Sequence, residues 1–115
     1  KILEHVREVG PYFEEQLKYL GSHYMVGNVR GSHYMLCMEL VKIRHSKELF
    51  DDSVKIGDRI AKHAQARGVI IRPIGHLNVI SPPLTFTKEN IDQMMIVLKA
   101  SINATEADLK KEGIL

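Results

Sequence analysis

The chain has 115 residues, 44% of them hydrophobic, with 16 basic residues against 14 acidic ones for a net charge of +2. That length fits one small domain, residues 1–115, with a real core. The basic residues are spread along the chain, which argues against nucleic acid and acidic membrane surfaces as partners. No apolar run approaches the about 20 residues that cross a bilayer, and no signal-peptide pattern opens the sequence. The single cysteine, Cys37, has no internal partner and suits a reducing cytosol. Set between Leu36 and Met38, it reads as a buried structural thiol rather than a nucleophile.

Residues 1–20 predict a helix. Ile2, Val6, Val9, Phe13, Leu17 and Leu20 recur every three or four residues and share one face. Pro11 inside this pattern predicts a kink or a restart. Gly21 suits a left-handed C-cap. The chain enters this helix at Lys1 with no start signal, as expected of a piece of a longer protein.

Gly21-Ser22-His23-Tyr24-Met25 recurs as Gly31-Ser32-His33-Tyr34-Met35, and two copies are too few for a repeat architecture. Between them, residues 26–31 carry turn residues. Tyr34 to Val41 predicts a strand covered on both faces. Residues 42–52 are charged, lack a clean period and read as a loop. Ser53 to Arg67 predicts a second helix, with Ile56, Ile60 and Ala64 on one face and Gly68 closing it.

Val69 to Ile71 is short and β-branched, as a buried strand should be. Pro73 ends that strand or places it at an edge, because it has no N–H for the ladder. Gly75 permits a turn, and Leu77 to Ile80 is the return strand. Pro82-Pro83 stops it. Thr87 caps a third helix with Glu89 in its first turn, and Ile91, Met94, Met95, Leu98 and Ile102 form its apolar stripe. From Asn103 the pattern weakens, and Gly113-Ile114-Leu115 looks frayed. The element order predicts an α+β fold: a small, mainly antiparallel sheet covered by helices.

Few residues point to chemistry. The six histidines match no structural zinc spacing, so no metal site is expected. Ser81 lacks the glycine-flanked elbow of a nucleophile. No glycine-rich phosphate loop is present. Arg72 stands out because a cation set in an apolar run is costly unless it meets an anion. A guanidinium binds a carboxylate through two parallel hydrogen bonds, a geometry lysine lacks. The plain alternative is an edge-strand arginine facing solvent. His76, across the turn, is a candidate for the same mouth.

Arg72-Pro73-Ile74-Gly75, followed by Ile80-Ser81-Pro82-Pro83-Leu84 and Thr87, resembles the C-terminal part of class III pyridoxal-phosphate aminotransferases, the omega-aminotransferases of fold type I. The likeness extends upstream through Val26-Gly27-Asn28-Val29-Arg30-Gly31, Met38-Glu39-Leu40-Val41 and Ala66-Arg67-Gly68-Val69-Ile70. It covers roughly residues 5 to 103. The resemblance implies a C-terminal small domain that packs on a larger cofactor domain within a cytoplasmic homodimer. It implies pyridoxal 5'-phosphate as cofactor of the full-length enzyme, with an amine and a keto acid such as pyruvate as substrates. It also implies that Arg72 binds the substrate carboxylate and swings aside for uncharged amines. His76 and Ser32-His33-Tyr34 depart from the family's usual residues. No segment resembles the one carrying the Schiff-base lysine, so the fragment alone is expected to be inactive. The competing expectation is a stand-alone α+β module that binds a small carboxylate through Arg72.

Overall fold

The computed structural model describes residues 1–115. Three helices, α1 (Ile2–Leu20), α2 (Ile56–Ala66) and α3 (Lys88–Lys111), cover one face of a four-stranded sheet. Its strands are β1 (Val26–Ser32), β2 (Met35–Leu40), β3 (Arg72–Ile74) and β4 (Leu77–Ile80). They lie in the order β1-β2-β4-β3 and every pairing is antiparallel. The fold is therefore the α+β arrangement expected. α1 packs on β1, α2 packs on β3 and β4, and α3 lies against both other helices.

Period-two alternation places Leu36, Met38 and Leu40 of β2 inward, with Asn78 and Ile80 of β4 beside them. The helices bring Phe13, Leu17, Ile56, Ile60, Ile91, Leu98 and Ile102, all essentially inaccessible. Methionines fill the remaining gaps, with Met38 and Met94 buried.

α1 runs through Pro11 without a restart. Pro11 and Arg7 are both exposed, so the Arg7 carbonyl left without a donor meets water. Gly21 follows in a right-handed conformation (φ −62°), correcting the left-handed cap, because its N–H closes a tight turn onto the Lys18 carbonyl and the Ser22 N–H one onto Tyr19. Residues 26–31, read as a turn, belong to edge strand β1, with a bulge between Val26 and Asn28. The second helix starts later than expected: Asp52–Val54 is a 3-10 turn, and Lys55 (φ 52°) breaks it from α2. Val69–Ile71 is not a strand. The Val69 N–H bonds back to Ala64 and Ile70 is 87% exposed, so the strand begins at Arg72, on the edge. α3 opens on a capping box between Thr87 and Asn90 and continues past Asn103 to Lys111. Ile114 and Leu115, expected to fray, hydrogen-bond to the Leu109 carbonyl and pack on the core.

Polar contacts lock the second half of α3 in place. The Arg59 guanidinium bonds both carboxylate oxygens of Glu112, at 2.7 and 2.9 Å. His63 lies 2.7 Å from Asp108. Glu106 accepts from Tyr24 Oη (2.8 Å) and pairs with Lys110 and His23. Burial, then the Glu106 hydrogen bond, pushes the Tyr24 phenol up to about 12. At the other end of the sheet, Tyr34 and His5 both contact the Phe86 carbonyl and tie down the stretch after Pro82-Pro83.

The β1–β2 turn rests on α1 at Gly10. A Cβ on Gly10 would stand 2.5 Å from His33 Cδ2 and 2.8 Å from His33 Cβ, so the turn itself would have to move. The His33 N–H also donates to Glu14 there. Alanine is the better helix former by about 1 kcal/mol, yet Gly10→Ala is expected to destabilise the chain by about 1–3 kcal/mol through overpacking. A urea titration reads this as a lower midpoint, and a raised midpoint would mean that the turn yields freely.

Candidate functional site

The helix-free face of the sheet carries the candidate residues. Register places Arg30 opposite Cys37, Cys37 opposite Val79, and Val79 opposite Arg72. These four form one transverse row on the outer face, since directly opposed residues share a side. The row's two arginines stand three strand spacings apart, about 14 Å between backbones. A second row aligns Glu39, Leu77 and Ile74. Cys37 and Val79 lie between the two arginines, and Met35, 65% exposed, and Ile74, 50% exposed, add open apolar surface beside them.

The two arginines differ in their company. Arg30 pairs with Glu39 at 3.8 Å, a long contact between partly exposed groups and a weak one on its own. Arg72 is exposed, on a three-residue edge strand, and no carboxylate of this chain lies within ion-pair distance of it. The hairpin presents it. Gly75, at φ 58°, supplies the positive first position of the two-residue loop Gly75-His76. Pro73 sits on the inner side of β3 and leaves Arg72 on the outer one.

His76 follows a different path. Its Nε2 lies 2.9 Å from the Phe50 carbonyl and 3.7 Å from an Asp52 oxygen. The hollow beside it is lined by Asp51, Asp52, Lys55, Asp58 and neighbours, and Arg72 is not among them. Cys37, read as a buried structural thiol, is half-buried in the middle of the outer face, because alternation along β2 turns it away from the core. Burial pushes its thiol up, the Arg30 charge pulls it down, and Glu39 pushes it up again. Sequence reasoning missed Arg30's place in the Arg72 row, because only the register of β1 reveals it.

The residues present do not fit a pyridoxal phosphate. A Schiff-base lysine needs a desolvated amine, whereas nine of the ten lysines here are exposed and Lys42 is half-buried. Helix starts are the phosphate sites a fold offers most readily, and that of α1, though without a side-chain cap, carries Glu4 in its first turn. That of α2 faces Asp51, Asp52 and Asp58, and that of α3 is capped by its own Thr87 and Asn90 beside Glu89. This chain is a surface that bears an arginine, and it does not cradle the cofactor.

The same fold recurs within solved transaminases. The chain superposes on the PMP-bound aminotransferase of Vibrio fluvialis with a TM-score of 0.89 and 34% identity, over 92% of this chain and 24% of that one. An uncharacterized aminotransferase of Sinorhizobium fredii is 36% identical over 110 residues, and the putrescine–pyruvate aminotransferase of Pseudomonas aeruginosa 32% over 108. Each alignment takes in 93% of this chain and 24% of the relative. Residues 1–102 match the profile of the aminotransferase class-III family. The chain belongs to that family and spans about a quarter of the length of these relatives.

Cys37 reports on the row. At pH 8 its alkylation by iodoacetamide is expected to be slower than that of free cysteine, because burial suppresses the thiolate. Arg30→Met should slow it further and Glu39→Gln should quicken it. The opposite order would show that these charges do not act on the thiol.

Proposed function

We propose that this chain is the C-terminal, substrate-side domain of a pyridoxal-phosphate-dependent omega-aminotransferase, which moves an amino group from an amine or omega-amino acid to a keto acid such as pyruvate. The observation that carries the reading is Arg72, an exposed guanidinium without an anion of its own on a sheet face whose other charges, Arg30 and Glu39, pair with each other. Arg72 holds the keto acid's carboxylate through two parallel hydrogen bonds and thereby orients the keto carbon. Its exposed, unpaired side chain leaves it free to swing aside for an amine with no carboxylate. Leu77, Val79 and Ile74 give the surrounding face its apolar character, which suits exclusion of water once another surface covers it.

The cofactor belongs to the larger remainder of the enzyme, where it supplies the electron sink for amino transfer. The chain alone is inactive on this reading, since it offers no desolvated lysine. The similarity to a putrescine–pyruvate aminotransferase supports an amine donor and a pyruvate-like acceptor. The resemblance to omega-aminotransferases supports assembly as a homodimer, and the unpaired Cys37 suits the cytoplasm. A stand-alone carboxylate sensor would instead enclose its arginine, and here Arg72 stands on an open face.

Half-reaction kinetics of the full-length enzyme test the role. Losing a charge-assisted bidentate contact should raise the KM for pyruvate about tenfold to a hundredfold in Arg72→Ala. Arg72→Lys should fall between that variant and the native enzyme. The half-reaction with a carboxylate-free amine should stay within about twofold, since it lacks the contact. Equal losses in both half-reactions would remove Arg72 from this role.

A further inference from the structure

The polar residue that packing explains least in this fold is Asn78. It points inward from β4, is wholly inaccessible, and sits beside Met38 on one side and Pro73 on the other. Its Nδ2 donates to the Gly57 carbonyl at 3.0 Å, in the first turn of α2. Its Oδ1 is buried with no hydrogen-bond partner. The orientation is set by the acceptor, because a carbonyl can only receive from Nδ2. An amide with one end unsatisfied is a poor choice for stability, and a leucine of similar volume would fill the same inward position without that cost.

The amide lies where the arginine hairpin meets the rest of the domain. Arg72 stands on an edge strand with a ladder on one side only. Its neighbour Pro73 lies directly opposite Asn78 in a non-hydrogen-bonded pair, so no ladder bond fixes the strand at that position. The hairpin is held from below by α2. A Cβ on Gly57 would stand 2.6 Å from the Gly75 carbonyl oxygen and 3.0 Å from that of Leu77, so helix and hairpin touch backbone to backbone. The Asn78–Gly57 hydrogen bond fixes the height and angle of this contact.

We propose that Asn78 is a positioning residue for substrate recognition. By tying the β3–β4 hairpin to the first turn of α2, it sets where the Arg72 guanidinium meets the substrate carboxylate. The inference rests on the reading of Arg72 as the carboxylate-binding residue. It separates stability from recognition at a single position, because the amide tightens the hairpin's placement at the expense of core packing.

Asn78→Leu in the full-length enzyme tests it, with Arg72→Ala alongside. The melting temperature should be unchanged or higher, since an orphaned polar atom is replaced by a methyl group. The KM for pyruvate should rise about fivefold, the equivalent of one lost hydrogen bond, with kcat and the amine half-reaction little altered. A fall in melting temperature with the pyruvate KM unchanged would make Asn78 merely structural and overturn the proposal, as would equal losses in both half-reactions. Gly57→Ala provides a second route if the leucine variant does not accumulate. It pushes the hairpin off α2 with the amide intact, and the same selective rise in pyruvate KM is expected; an unchanged KM would overturn the proposal. If Arg72→Ala leaves the pyruvate KM untouched, the carboxylate reading itself fails. If Arg72→Ala raises it and neither positioning variant does, only the role of Asn78 fails.

Discussion

The pairing of β4 between β2 and β3 is the constraint on which the rest depends. Side chains alternate with a period of two, so the register that sends Ile80 and Asn78 into the core also sends Val79 outward, and through Val79 it sends Arg72 outward. A slip of one residue would bury the guanidinium against α2 and expose Ile80. The register is secured from both directions. The large inward residues Met38, Leu40 and Ile80 would lose their burial on the open outer face, and the two-residue loop Gly75-His76 allows one alignment of Ile74 with Leu77. Apolar burial on one side of the sheet thus decides the chemistry available on the other.

The helices were legible because their apolar residues recur at helical spacing over many turns and local signals agree with that pattern, as at Thr87 with Glu89. The turn at Gly75 and the return strand Leu77–Ile80 were legible, while the sequence places the first strand of the hairpin three residues too early. Two strand boundaries were not legible. β1 is an edge strand with two glycines, a bulge and mostly exposed side chains, so it carries no alternation to read. Val69–Ile71 has the composition of a strand, but the end of α2 captures the Val69 N–H and leaves Ile70 in solvent. β propensity describes fit to a pleated surface, and no strand stands beside Ile70 to provide one. At the site, Arg72 was conspicuous as a charge among apolar residues. Arg30 and Asn78 were silent, since the role of each depends on which strand lies opposite and what packs beneath.

The helix contacts show how a small domain keeps a long helix ordered where its apolar stripe thins. Beyond Ile102 only Leu109 is a large buried apolar residue, and Glu106, Asp108 and Glu112 take over with partners on α2 and on the turn before β1. Each pair is partly exposed and contributes little alone. Held together by one rigid helix, they act on the same two turns. The duplicated Gly-Ser-His-Tyr-Met segment has a related use: His23 reaches Glu106 on α3 and His33 reaches Glu14 on α1, so both ends of β1 are moored to a helix.

A sheet with one bare, partly apolar face invites association with other chains along its edges. Pro73 offers no donor on the outer edge at β3, so an incoming strand finds a gap where a hydrogen bond should form. At the opposite edge the bulge near Gly27 breaks the even spacing of β1, and the Lys47 ammonium already occupies the Gly27 carbonyl. Both margins are thereby poor templates for strand addition. The proline beside Arg72 guards the chain against growing into a larger sheet, so recognition and resistance to aggregation meet in adjacent residues.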